Sequence, residues 1–154
     1  NRLINNKKVM ILEQRNKITT TALLLLTKDN KILLTRRYNT GYEDEKYSLP
    51  GGHVEKGEEV RNAAIREAYE ELGIKIAKED LEVKKVFNRK VKDDAYIDFI
   101  LKCSKWQGEV QNNEKDKCDE IRWADKNDIP TNIIPFVKEI FKDDGFYIPY
   151  GWEE

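Results

Sequence analysis

A chain of 154 residues is long enough for one domain with a substantial core. Its 28 basic and 29 acidic side chains cancel to a net charge of −1, which argues against the basic stripe of a dedicated nucleic-acid polymer binder and leaves small anionic molecules as expected partners. No apolar run approaches the roughly 18 residues of a membrane span, and no signal-peptide pattern opens the chain, so no membrane partner is expected.

The first residue is Asn1 rather than methionine, and a few residues trimmed ahead of it are the expectation. Residues 1–16 are polar and without periodicity, an arm whose order the sequence does not predict. Residues 19–27 contain ALLLL, a continuous apolar run that reads as a strand buried on both faces. Asp29-Asn30 signals a turn, and 31–37 reads as the returning strand of a hairpin. Residues 38–47 hold Gly41 among polar and acidic residues and read as a mobile loop, before Pro50-Gly51-Gly52 makes a sharp transition into a helix over 59–72. Gly73 stands where a C-cap glycine belongs.

Residues 81–91 read as a strand. So do 96–103, where Ile97, Phe99, Leu101 and Cys103 alternate with Tyr96, Asp98, Ile100 and Lys102, with Asp93-Asp94 as the turn between the two. A polar loop over 109–118 precedes a strand at 120–124. A short helix is expected over 132–141, ending before Asp143-Asp144-Gly145, and the aromatic tail 146–152 is expected to pack on its own domain. Cys103 and Cys118 follow no metal spacing; reduced thiols in the cytoplasm are the expectation, with Cys103 as plain core. The whole is an α/β pattern in which a mixed sheet is sandwiched between helices, one domain spanning 1–154.

The most informative stretch is 52–74, GHVEKGEEVRNAAIREAYEELGI. In the 59–72 helix, Glu67, Glu70 and Glu71 fall within an arc of roughly 100°, with Ile65, Ala68, Tyr69 and Leu72 as a buried stripe behind them. Three carboxylates ~6 Å apart repel by roughly 1 kcal/mol per pair even in water. They also crowd the end of the helix where the macrodipole disfavours anions. A solvated face would interleave lysines at i+4; here only Arg66 offers a local counter-charge. A hard divalent cation with oxygen ligands relieves the repulsion, and carboxylates suit Mg²⁺ or Mn²⁺.

Gly52, Glu58, Arg66-Glu67, Glu70-Glu71, Gly73 and Ile74, at these spacings and preceded by Leu49-Pro50-Gly51, match the Nudix box throughout. The chain therefore resembles the Nudix hydrolase superfamily. The resemblance implies an α/β/α sandwich around a mixed β-sheet, and metal-dependent cleavage of the pyrophosphate linkage in a nucleoside diphosphate derivative. It implies Glu70 and Glu71 as metal ligands through their side chains, Glu67 as a ligand or a base near the attacking water, and the Gly51 carbonyl as an added ligand. Arg66 orients Glu67 or pairs with Glu58, and Glu58 itself is structural or catalytic. A further glutamate recruited from a loop is expected at Glu114, chosen over Glu109 and Glu120, with solubilisation as its competing role.

Outside the box, Arg36, Arg37, Arg89 and Lys90 are phosphate-contact candidates that compete with ordinary strand-surface roles. Tyr42, Tyr47 and Phe87 offer rings for a base, with packing the competing role for Phe87. Asn132 is placed at the start of the last helix, as a contact for a purine edge or as an N-cap. His53 follows the glycine pair, as a phosphate neighbour or a variable loop position. The resemblance is greatest to MutT-like enzymes that release a nucleoside monophosphate and pyrophosphate from a triphosphate, including oxidised ones such as 8-oxo-dGTP. ADP-ribose or a nucleotide sugar is the alternative substrate, and a non-catalytic nucleotide sensor the alternative function. Monomer and homodimer both remain open.

Overall fold

A computed structural model describes residues 2–13, 15–142 and 145–152. The ALLLL run forms the middle of β1 (Ile18–Lys28) and is buried on both sides, as its unbroken hydrophobicity predicts. Ala22, Leu24 and Leu26 face one core, while Leu23 and Leu25 face the other. The hairpin closes through Asp29 and Asn30, both at positive φ (50° and 62°), into β2 (Lys31–Arg37). Short strands β3 (Tyr47–Ser48) and β4 (Gly51–His53) follow, and β4 pairs antiparallel with β1, setting Gly51 opposite Leu23. β5 (Glu82–Val91) and β6 (Asp94–Cys103) make a second hairpin whose turn is Lys92-Asp93, one residue earlier than expected. β6 runs parallel to β1, and β7 (Cys118–Asp125) pairs antiparallel with β2. The mixed sheet runs β3-β2-β1-β6-β5-β8, the last being Tyr147–Tyr150, with β4 attached to β1 and β7 to β2.

Helix α2 (Val60–Leu72) covers one face of this sheet. The other face carries α3 (Pro135–Lys138), which continues as a 3₁₀ turn through Phe141. This is the expected sandwich, with a shorter last helix. Pro135 occupies its first turn and Ile134 its N-cap, because proline tolerates only the start of a helix. Asn132 therefore stands before the helix and caps nothing; its side chain donates to the Glu45 carbonyl at 3.0 Å. The N-terminal arm is helical, α1 (Arg2–Glu13), with Leu3, Ile4 and Met10 exposed. The aromatic tail adds β8 (Tyr147–Tyr150), parallel to β5, and Trp152 Nε1 donates to the Asn88 carbonyl at 2.8 Å, so the tail packs on its own sheet. Asp143 and Asp144, expected at the turn before it, lie outside the described residues.

Two strand readings change. In β6 both Ile100 and Leu101 are fully buried, in opposite cores, because helices cover both faces of the sheet. Asp98, on the face that strict alternation leaves open, is also fully buried.

Candidate active site

The site begins with how α2 meets the glycine strand. The buried residues of α2 are Ala63, Ala64, Ala68 and Leu72. At about 100° per residue, Ala63, Glu67, Glu71, Ala64, Ala68 and Leu72 succeed one another around roughly half of the helix. Glu67 and Glu71 thus lie within the sheet-facing arc, whereas Glu70 and Tyr69 face out, Tyr69 at 59% exposure. The expected stripe that placed Tyr69 in the core is corrected accordingly. Alanines under the helix bring its axis close to β4. A Cβ on Gly52 would sit 2.6 Å from Glu67 Oε1, so glycine there is what lets the carboxylate lie against the strand. Gly51 has φ +136°, and its N–H donates to Glu71 Oε2 at 2.9 Å.

Helix caps fix the frame at both ends. Glu59 is the N-cap and accepts the Arg61 N–H at 3.1 Å. Gly73 ends the helix at φ 70°, its N–H reaching the Ala68 and Tyr69 carbonyls.

Arg66 organises the acidic groups. Its Nε and Nη2 grip Glu58 at 2.9 and 3.0 Å, its Nη2 also donates to the His53 carbonyl at 3.1 Å, and its Nη1 reaches Glu67 Oε1 at 3.0 Å and Glu70 Oε2 at 3.3 Å. Arg66 thus bonds both Glu58 and Glu67, the two partners expected for it. Glu58 pairs with Arg66, which chiefly holds its carboxyl below the usual range. Burial lifts the Glu67 carboxyl against the opposing pull of Arg66, and it lifts Glu71 to about 9 against the Gly51 N–H, with Glu67 and Glu114 adding repulsion.

A cleft of about 590 Å³ opens over these groups. Glu67, Glu70, Glu71 and Glu114 line it together with Gly51, and Arg37 and Lys117 stand on its wall. Of the three loop glutamates, Glu114 is the one at the cleft; Glu120 instead accepts the Tyr47 hydroxyl at 2.6 Å. Glu114 sits in a tight turn, its carbonyl accepting from the Lys117 and Cys118 N–H groups. Arg36 faces the cleft but is spent on Asp119 through two hydrogen bonds of 2.8 and 2.6 Å. Arg37 ties down the 38–46 loop, donating to the Tyr42 carbonyl at 2.7 Å and to Thr40 Oγ1 at 3.0 Å. That loop is further closed by Asp44, which accepts from the Thr40 and Gly41 N–H groups.

Arg89 and Tyr42 belong to a smaller adjoining cavity of about 250 Å³ that shares Arg37, Gly51, Gly52 and His53 with the main cleft. Arg89 is no strand-surface cation: it is 7% exposed, with Nε and Nη2 on Asp98 at 2.8 and 3.0 Å. Asn132 lines neither space. Asn112 and Lys117 at the cleft, and Asp98 beneath the cavity, were not singled out from the sequence. Asp98 had one signal available, an acid set between Ile97 and Phe99 within a largely apolar strand.

Mg²⁺ and Mn²⁺ take oxygen ligands, and the donor set here is four carboxylates beside a glycine strand. Among the described residues no three acidic groups converge into a ready cage. Glu67 and Glu70 turn to Arg66 and Glu71 turns to Gly51. The partly desolvated, mutually repelling Glu67 and Glu71 nonetheless fit a divalent ion, since a cation offsets both costs.

Comparison with known proteins agrees with the geometry. The NUDIX domain family model matches residues 16–143, and the chain belongs to the Nudix family. It is a Nudix hydrolase, of a family of pyrophosphohydrolases that generally use divalent metal ions. It is 26% identical over 148 residues to an RNA pyrophosphohydrolase of Wolbachia pipientis subsp. Culex pipiens, covering 86% of this chain and 90% of that protein. It is 34% identical over 110 residues to an uncharacterised Nudix hydrolase of Bacillus subtilis, covering 68% and 65%. In fold it is similar to a MutT Nudix hydrolase from Burkholderia pseudomallei, with a TM-score of 0.76, 22% identity, and coverage of 84% and 100%. Among the described residues no helix is long and apolar enough to cross a membrane.

Proposed function

We propose that the chain hydrolyses the pyrophosphate linkage of a nucleoside triphosphate, releasing a nucleoside monophosphate and pyrophosphate. The observation that carries this reading is one cleft lined both by four carboxylates, Glu67, Glu70, Glu71 and Glu114, and by the cations Arg37 and Lys117. Glu70 and Glu71, with Glu67, Glu114 and the Gly51 carbonyl, would hold Mg²⁺ or Mn²⁺, which supplies charge neutralisation on the phosphates and a bound water of lowered pKa. Arg37 and Lys117, in the same cleft, neutralise phosphate oxygens. Arg66 holds Glu67 in place, and the raised carboxyl of Glu67 brings it nearer to working pH, as a base for the attacking water requires.

The likeness along nine-tenths of an RNA pyrophosphohydrolase favours a second reading, in which the triphosphate is the 5′ end of a short RNA. The reaction and leaving group are the same; the near-neutral charge of the chain favours the free nucleotide.

The test is a panel of nucleoside triphosphates, oxidised deoxynucleotides, ADP-ribose, nucleotide sugars and a 5′-triphosphate oligoribonucleotide, assayed with Mg²⁺ and with Mn²⁺. Pyrophosphate release from free triphosphates, abolished in Glu70→Gln and Glu71→Gln with the fold intact, supports the reading. Turnover of ADP-ribose or nucleotide sugars alone replaces the triphosphate with that substrate. Tight nucleotide binding with no turnover of any member makes the protein a sensor.

A further inference from the structure

The cavity beside the catalytic cleft holds a buried cation whose hydrogen bonds are half used. Arg89 is 7% exposed and Asp98 fully buried. They sit on the same face of the β5/β6 ladder, where Phe87 is opposite Asp98 and Arg89 opposite Tyr96. Asp98 takes the Nε and Nη2 edge of the guanidinium, and its Oδ1 also accepts the Thr21 hydroxyl at 2.8 Å. The Tyr96 and Phe136 rings lie 4.4 and 4.1 Å from the guanidinium carbon. The charge is thereby paired, one edge of the guanidinium is bound and two rings lie against it.

Guanidinium carries five N–H donors. Asp98 takes two of them, and Arg89 Nη1 has no hydrogen-bond partner among the described residues. The single buried side-chain polar atom without a partner among those residues is Asn88 Oδ1, so Nη1 keeps access to open space. That space is the cavity of about 250 Å³ which Arg89 and Asp98 line. Its size is below the range for a drug-sized ligand and suits one planar ring system. It shares the Gly51-Gly52 wall with the phosphate cleft, so a ring placed there belongs to the molecule whose phosphates lie over the glutamates. Tyr42, half exposed on the neighbouring loop, offers a ring face for stacking.

We infer that the outer fork of Arg89, pre-oriented by Asp98, selects among purine nucleotides the ring that presents two adjacent acceptors, the O6/N7 edge of guanine or hypoxanthine. Adenine offers N7 beside an N6 amine, which sets a donor against a donor. An 8-oxo purine carries a proton on N7 and meets the same conflict, so this pocket works against the oxidised base. Arg89 is here a specificity-determining residue and Asp98 a positioning residue. The inference rests on the nucleotide reading of the cleft.

The test measures binding of monophosphates to the metal-free wild-type protein by calorimetry, a readout that needs no turnover. GMP and IMP are expected to bind about 10- to 100-fold more tightly than AMP, 7-deaza-GMP and 8-oxo-GMP. In the double variant Arg89→Met with Asp98→Leu, which removes the buried pair without leaving either charge alone, the five ligands are expected to converge. AMP or 8-oxo-GMP binding as tightly as GMP overturns the inference, as does an undiminished GMP preference in the double variant. Failure of every monophosphate to bind while ADP-ribose is turned over overturns the triphosphate reading instead, and the inference with it.

Discussion

The Gly51 N–H donates to Glu71 Oε2 across 2.9 Å and so fastens the acidic helix to the strand that forms the cleft floor. This bond sets a donor beside a carboxylate that burial and its acidic neighbours lift to about 9. An ordinary glutamate titrates near ~4.3. Across neutral pH the metal-free site therefore retains a proton that a divalent ion must displace.

The sign follows directly. A carboxyl whose folded-state pKa lies above its unfolded value binds the proton more tightly when folded, so its contribution to stability is full below about pH 4 and is lost as pH rises towards 9. Mn²⁺ titration by calorimetry at pH 7, in two buffers of different ionisation heat, should show release of about one proton, and apparent affinity should rise with pH until about 9. Equal enthalpies in the two buffers would show that no proton is displaced.

Glu114 is set apart from Glu109 and Glu120 by position alone: it lines the cleft, while Glu120 is bonded to Tyr47. Glu114→Gln should lower kcat on the order of 10-fold or more with the melting temperature unchanged, and Glu109→Gln should leave both as they are. An unaltered rate in Glu114→Gln removes it from the site.

Glu58 and Glu67 were both legible in the sequence as partners of Arg66, and Glu70 stands at the i+4 position from it, but the reach to the His53 carbonyl was not, because no spacing rule encodes a loop carbonyl folding back on a helix. The ALLLL strand and the glycine-to-glutamate frame were legible because one is a burial pattern and the other a fixed motif. Asn132 was misplaced because Pro135, not the asparagine, decides where α3 starts. The Arg89–Asp98 pair was hidden by a strand alternation that assumes one solvated face, where this sheet is covered on both. Polar residues at positions 2–13 gave no stripe, and the helix there leaves Leu3, Ile4, Val9, Met10 and Ile11 exposed.

Arg66 grips Glu58 bidentately, with side-chain exposures of 25% and 16%. Glu58→Gln weakens a charge-assisted fork and should cost about 1–2 kcal/mol, a fall of roughly 3–6 °C in melting temperature for a chain of this size. Arg66→Lys loses the fork that holds Glu58, Glu67 and Glu70 together, and a displaced base should lower kcat by ~10-fold or more with little change in KM. Parallel loss of stability and activity in both variants would mean that Arg66 acts on folding alone.

Gly51 is the backbone position least able to accept a side chain. Its φ of +136° is a region that L residues rarely adopt, and an added Cβ would run into the Ala22 carbonyl and come within 2.9 Å of Leu23 Cα. These are backbone atoms of the central strand, so neither can rotate away. Gly51→Ala should destabilise the fold by about 3 kcal/mol or more, combining backbone strain with overpacking. Gly57 makes the control: its φ is +77°, but nothing lies within 4 Å of an added Cβ, so Gly57→Ala should cost only the conformational strain, about 1 kcal/mol. Chemical denaturation of the two variants measures the difference. Equal midpoints would show that β4 yields at Gly51, and that its close approach to β1 does not require glycine there.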